Sequence, residues 1–194
     1  MYYPVMLDLK NKEVLVVGAG KVAYRKIKNL IKAKAKITVV SNEFLKEFES
    51  LNVNLIKDCY NEKYLKGKFL VIAATSNNKV NEKIAKDAKE NSILCNVVDN
   101  KEISDFITPA VVSKEEVLIS ISTNGKYPAL SKYIRKDLED RYSKYTKEYL
   151  ELLETLRLEV IKRNEDDKEK LLKEVLEMNE DDLREFVFKY LKEN

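Results

Sequence analysis

Val14-Leu15-Val16-Val17-Gly18-Ala19-Gly20-Lys21-Val22-Ala23 carries an apolar run straight into Gly-x-Gly-x-x-Ala, and helical spacing follows. The chain has four glycines in 194 residues, so two of them within three positions mark a backbone requirement. Gly18 permits a tight turn, Gly20 lets the backbone approach a pyrophosphate, and Ala23 allows close packing of helix on strand. The helix that opens there offers free N–H groups and the positive end of its dipole to phosphates. Gly18, Gly20, Lys21 and Val22 are therefore the residues expected to face a dinucleotide. A tight βα turn that binds nothing is spelled the same way, and the surrounding chain has to decide.

Outward from that turn, strand-like Val14–Val17, Lys36–Val40, Val53–Lys57, Phe69–Ala73 and Ile93–Val97 alternate with helical Val22–Lys32, Glu43–Ser50 and Asn78–Glu90. Helix faces keep the 3.6-residue period, with Val22, Ala23, Ile27, Leu30 and Ile31 on the first and Val80, Ile84, Ala85 and Ala88 on the later one. This alternation predicts an α/β fold, a Rossmann-like parallel sheet over residues 1–112. The rhythm then breaks. Phe106–Val112 and Val117–Ser122 read as a hairpin pair, and Pro128 opens a helix to about Tyr142, so 113–142 form a small α+β segment. Residues 143–194 read as a C-terminal helical region, with Tyr142, Tyr145, Tyr149, Leu152, Leu153, Leu156 and Val160 on one stripe. Asn164 suits a stop there. Helices are expected over Leu171–Met178 and Leu183–Leu191, the latter opened by Asn179 with Asp182 three residues on. The tyrosines read as packing.

Composition narrows the chemistry. Charged residues make up 36% of the chain, yet the net charge is only +3, and no basic stripe interleaved with aromatics suggests nucleic acid. Cys59 and Cys95 have neither metal-ligand nor redox-pair spacing, which fits free thiols in a reducing cytosol. With no membrane-length apolar run and no leader-like N-terminus, a cytoplasmic protein is expected. Histidine is absent, which excludes Ser–His and Cys–His relays and His-ligated metals. Proton transfer falls to a carboxylate, Lys, Tyr, Cys or water.

Loops at the carboxyl ends of the expected strands should share one crevice. Ser41-Asn42-Glu43 lies some twenty residues beyond the glycine turn, where a ribose is often held; Ser41 or Asn42 equally suits a helix cap. No Arg there favours a 2′-phosphate, which points to NAD. Ala73-Ala74-Thr75-Ser76-Asn77 has small residues against which a cofactor can lie, and Asn77 or Asn78 caps the next helix. Asp99, after Cys95-Asn96-Val97-Val98, is either a loop-former or the acid–base group. Ser122-Thr123-Asn124-Gly125-Lys126 is either an anion site or a turn with a cap.

Pro4–Leu9, the glycine turn with Arg25-Lys26, Ala73-Ala74-Thr75, Cys95-Asn96-Val97-Val98-Asp99, Phe106-Ile107-Thr108-Pro109-Ala110 and Ser122-Thr123-Asn124-Gly125-Lys126-Tyr127-Pro128-Ala129-Leu130 occur in that order. Together they resemble the precorrin-2 dehydrogenase family, including the N-terminal module of siroheme synthase, over residues 1 to about 142. The resemblance implies NAD-dependent oxidation of precorrin-2 to sirohydrochlorin in siroheme biosynthesis, and in some members Fe²⁺ insertion in the same cleft.

It implies Asp99 as general acid/base, beside the cofactor set that the strand-end loops give: Gly18, Gly20, Lys21, Val22, Ser41, Asn42, Glu43, Ala74 and Thr75. A substrate set of Asn96, Ser122, Thr123, Asn124, Gly125 and Lys126 follows, with Asn124 standing where the family has glycine. It also implies a homodimer made through 113–142, with the cleft between nucleotide domain and dimer, and no resident metal. Lys21, Lys126, Lys132 and Arg135 are candidates for the substrate's carboxylates, though each reads first as an ordinary surface charge. Two other classes compete: a non-catalytic NAD(H)-sensing dimer, and an assembly protein built on the helical tail.

Overall fold

A computed structural model describes residues 2–164 and 167–192. Met1 of the expected first domain, and residues 165–166 and 193–194 of the expected tail, lie outside the described residues. The chain divides into two compact units, Met1–Thr108 and Pro109–Asn194.

The first unit contains β1 (Glu13–Val17), α1 (Lys21–Lys32), β2 (Lys36–Ser41), β3 (Asn54–Lys57), β4 (Leu70–Ala73), α2 (Asn78–Glu90) and β5 (Leu94–Val97). All five strands pair in parallel, in the order β3-β2-β1-β4-β5. Val14 and Val16 pack with Ala23, Ile27 and Leu30 of α1, while Leu15 and Val17 pack with Ile84, Ala85 and Ala88 of α2. With both faces covered, the strands need apolar residues at every position, hence the unbroken runs. The chain builds outward through β2 and β3, then returns to lay β4 on the other side of β1. That reversal opens a crevice at the carboxyl ends of β1 and β4, where ligands of such sheets bind.

Two elements near the sheet differ from expectation. The helix expected over Glu43–Ser50 is a short 3₁₀ turn at Lys46–Ser50. Leu45 is extended and its N–H reaches the Ala19 carbonyl at 3.4 Å, which draws the segment along the glycine turn. Phe48 is thereby buried against Tyr24 and Phe44, at ring separations of 5.6 and 5.9 Å. The strand expected over Phe106–Val112 forms instead as β6 (Ala110–Lys114). Upstream of it the chain is held beside β5, where the Cys95 and Asp105 N–H groups donate to Asp105 Oδ2 and the Cys95 carbonyl, both at 2.8 Å.

In the second unit, β6 and β7 (Val117–Ile121) form an antiparallel hairpin joined by Glu115-Glu116, with α3 (Pro128–Arg141) packed on it. The tyrosine stripe is not one helix. α3 closes at Arg141, and α4 (Lys147–Arg163) starts afresh where Thr146 Oγ1 accepts the Tyr149 N–H at 3.1 Å. Asn164 ends α4 in the left-handed conformation, φ 53°. The helix expected over Leu171–Met178 is α5 (Lys168–Glu174) followed by a 3₁₀ turn, Val175–Glu177. Asn179 Oδ1 then accepts the Asp182 N–H at 2.9 Å to start α6 (Glu180–Lys192).

Tyr149, Leu156, Val160, Val175, Leu183 and Val187 form a buried cluster of this unit. The Tyr149 hydroxyl is fixed among the carbonyls of Val175, Leu176 and Met178, at 3.3, 3.3 and 3.2 Å. Leu156 is fully buried there. Leu156→Ala is expected to destabilise the protein by about 2–5 kcal/mol, measured by urea denaturation. No described helix is long and apolar enough to cross a membrane.

Candidate functional site

The two glycines of the turn serve different ends. Gly18 has φ +103°, and a Cβ on it would stand 2.4 Å from the Ala74 carbonyl oxygen and 3.0 Å from the Thr75 nitrogen. The loop after β4 passes directly against it. Gly18 N–H donates to Val40 O and Ala74 N–H to Val17 O, both at 2.8 Å, so the ends of β1, β2 and β4 are fastened together. At Gly20 a Cβ would meet nothing within 4 Å. Gly20 caps α1 with φ −85° and no side-chain hydrogen bond, and the first turn holds no acidic residue. Unoccluded space before the uncapped N–H groups of Lys21 and Val22 fits a pyrophosphate.

The flanking loops are more committed to themselves than their sequences suggest. Ser41 Oγ donates to the Glu43 carbonyl at 2.7 Å, and Asn42 Oδ1 accepts the Cys59 thiol at 3.2 Å. Neither caps a helix, because the helix they would cap is absent; Asn42 and Glu43 remain exposed beyond β2. Thr75 is bound to Asn81, a buried residue the sequence reading did not single out: Thr75 N–H and Oγ1 donate to Asn81 Oδ1 at 3.2 and 2.7 Å. Asn81 Nδ2 returns a bond to the Thr75 carbonyl at 3.1 Å. Thr75 thus shapes the loop that presents Ala74 to Gly18. Asn77 caps α2, accepting the Lys79 and Val80 N–H groups at 3.0 and 3.3 Å.

Asp99 follows β5 with φ 63°, a conformation Asp tolerates better than most residues. It opens a loop closed by Ser104, whose hydroxyl accepts the Val97 N–H at 2.8 Å and donates to the Asn100 carbonyl at 2.7 Å. The carboxylate is exposed and accepts no hydrogen bond among the described residues. Val98 N–H donates to Ala73 O at 2.9 Å, which keeps the Asp99 loop beside the end of β4. Asn96 turns toward α1. It is buried on the α1 side of β5, with Nδ2 donating to Phe106 O and Oδ1 accepting from Lys26 Nζ, both at 2.9 Å.

In the second unit, Lys126 N–H donates to Thr123 O at 3.0 Å, with Asn124 and Gly125 at φ 54° and 72°. Two successive left-handed residues make a type I′-like turn, and Asn is the non-glycine residue that takes this conformation most readily. The exchange of glycine for Asn124 therefore keeps the loop's shape. Thr123 Oγ1 accepts the Tyr127 N–H at 3.1 Å and lies 3.2 Å from Ser131 Oγ, while Ser122 Oγ accepts the Asn124 N–H at 3.0 Å. Ser122, Asn124, Gly125 and Lys126 are exposed.

Residues 5–110 match a family model described as putative NAD(P)-binding. Siroheme synthase of Psychromonas ingrahamii is 41% identical over 142 residues, covering 71% of this chain and 30% of that protein. Siroheme synthase 2 of Yersinia enterocolitica is 34% identical over 163 residues, 82% of this chain and 34% of that protein. The chain thus spans about a third of the length of these curated relatives. Among solved structures, the precorrin-2 dehydrogenase SirC superposes with TM-score 0.78 at 30% identity, over 97% of this chain and 100% of that one. The chain belongs to the precorrin-2 dehydrogenase family.

Burial, then the charge of Arg25, push the Lys26 ammonium down to about 8, while Asp99 partly opposes them. Lys26 appeared in the sequence only as a letter of the Arg25-Lys26 motif. Its signal was there: it flanks the Ala23, Ile27, Leu30 stripe, and a buried Asn on β5 needs a polar partner. Burial, then Asp105, pushes the Cys95 thiol up to about 12, so it is an inert packing group.

Proposed function

We propose that this chain oxidises precorrin-2 to sirohydrochlorin with NAD, the dehydrogenase step of siroheme biosynthesis. The observation that carries this reading is the placement of Asp99 at the end of β5, beside a switch-point crevice whose glycine turn is open at Gly20. The full-length likeness to SirC supports it. Gly18, Gly20, Lys21 and Val22 would hold the pyrophosphate, with Ala74 beneath and Ser41, Asn42 and Glu43 toward the ribose. The absence of Arg in that last loop favours NAD over NADP. Bound there, NAD supplies the hydride acceptor. Asp99 takes the proton the macrocycle loses, and its exposed carboxylate, unencumbered by hydrogen bonds from the described residues, suits that task.

We assign Ser122–Lys126 to the substrate's carboxylates, on the strength of the family motif and the exposed type I′-like turn. A homodimer through 113–142 accords with α3, which leaves Leu130 and Tyr133 exposed, at 45% and 74%. The reducing cytosol suits the free Cys59 and Cys95. Fe²⁺ insertion is a second reaction for the same carboxylate, which would accept pyrrole N–H protons. Iron would enter that reaction as a substrate.

The test is a cuvette assay of purified protein with precorrin-2 and NAD. Stoichiometric NADH with a sirohydrochlorin spectrum is expected, and a flat trace with verified substrate rejects the reading in favour of the sensor. Fe²⁺ added afterwards reports the second reaction as a siroheme spectrum forming faster than in a protein-free control.

A further inference from the structure

Asn81 stands on the buried stripe of α2, at the first position of the spacing continued by Ile84, Ala85 and Ala88. That spacing calls for an apolar residue, and a buried amide is costly unless it is bonded. Every side-chain bond Asn81 makes among the described residues goes to Thr75. Its Oδ1 accepts the Thr75 N–H at 3.2 Å and the Thr75 hydroxyl at 2.7 Å, and its Nδ2 donates to the Thr75 carbonyl at 3.1 Å. One side chain thus grips Thr75 on both backbone edges, as a neighbouring strand would, and fixes two successive peptide planes. A peptide is planar and trans, so holding the Thr75 N–H sets the direction of the Ala74 carbonyl on the opposite edge. That carbonyl is the group a Cβ on Gly18 would meet at 2.4 Å.

We infer that Asn81 is a positioning residue for the dinucleotide, holding the Ala74–Thr75 peptide against Gly18 so that the glycine turn keeps the shape that receives a pyrophosphate. This rests on the cofactor reading above and not on the oxidation of precorrin-2. The bonds from Gly18 N–H to Val40 O and from Ala74 N–H to Val17 O fasten the strand ends, but neither acts on the peptide between residues 74 and 75. Released from Asn81, that peptide can turn about its flanking single bonds and leave its seat on Gly18. Affinity then falls by the fraction of time the competent shape is held. Asn81 is buried and its amide is spent on Thr75, so it acts on the cofactor only through this loop.

Fluorescence titration of the unaltered protein, Asn81→Leu and Ile84→Val with NADH tests this. Leu keeps a branched side chain on the α2 stripe and removes all three bonds. Ile84→Val shortens a fully buried side chain of the same helix and leaves Thr75 bonded. Asn81→Leu is expected to weaken NADH binding by about tenfold, and Ile84→Val to change it by less than about twofold. In turnover the KM for NAD should rise by the same factor in Asn81→Leu, with kcat at saturating NAD near that of the unaltered protein. A folded Asn81→Leu protein with normal NADH affinity overturns the inference. An equal loss in Ile84→Val overturns it too, and makes Asn81 a residue of general stability.

Thr75→Val and Thr75→Ser decide the matter if Asn81→Leu does not fold. Val keeps the shape and drops the hydroxyl bond to Asn81, whereas Ser keeps that bond. About threefold weaker NADH binding is expected for Val and unchanged binding for Ser. Equal affinities in the two overturn the inference. An unaltered protein that binds no NADH rejects the cofactor reading and this inference with it. One that binds NADH without oxidising precorrin-2 rejects the proposed reaction alone, and the Asn81→Leu titration still decides the role of Asn81.

Discussion

Asp99→Asn is expected to lower the turnover of precorrin-2 by about 10²–10⁴-fold, the range over which a positioned acid–base group contributes. Asn is the substitution of choice because position 99 sits at φ 63°, where Asn is at home and Ala is strained. The backbone of the loop should persist, since it is closed by Ser104 and Asp105 and not by the Asp99 side chain. Thermal stability and NADH affinity should therefore stay near those of the unaltered protein. Single-turnover NADH formation checks the first statement, and fluorescence titration with NADH the second. A variant that oxidises precorrin-2 at a near-normal rate moves the base elsewhere. A variant that loses NADH binding as well makes Asp99 a loop-former, the plainer reading its position always allowed.

How far the sequence carried this site depended on whether a signal was local. The β1–turn–α1 unit was legible because its chemistry lies in ten consecutive residues with strand period before and helix period after. The five parallel strands were legible because burial on both faces demands unbroken apolar runs. Residues 43–50 misled: their spacing is compatible with a helix, but a single contact, Leu45 N–H to Ala19 O, and the burial of Phe48 hold the chain extended until Lys46. The strand placed at Phe106 failed for a similar reason, as Asp105 and Ser104 lock that stretch to β5 before β6 begins. The roles of Thr75 and Asn96 were illegible because each is decided by one distant partner, Asn81 for the first and Lys26 for the second. Polar residues near a site look alike in sequence whether they face the ligand or the protein.

The glycine turn offers a pair of substitutions whose effects should separate fold from ligand. Gly18→Ala combines two penalties. An alanine at φ +103° is strained by about 1–2 kcal/mol, and its Cβ would stand 2.4 Å from the Ala74 carbonyl oxygen, a backbone atom that cannot swing aside. Relieving the overlap means parting the ends of β1 and β4, at a further cost of about 1–3 kcal/mol. A large loss of stability in urea is expected, with NADH affinity falling alongside it as the crevice deforms. Gly20→Ala meets neither penalty, since φ is −85° and no atom lies within 4 Å of the new methyl. At an N-cap the exchange should change stability by less than about 1 kcal/mol. If the space before α1 receives a pyrophosphate, that methyl nonetheless stands where the phosphates must come, and NADH affinity should drop by at least about tenfold, or 1.4 kcal/mol. A stable Gly20→Ala protein that binds NADH normally would show that the turn is open for reasons unrelated to phosphate. A stable protein that has lost NADH assigns the opening to the cofactor, because nothing in the fold itself needs it.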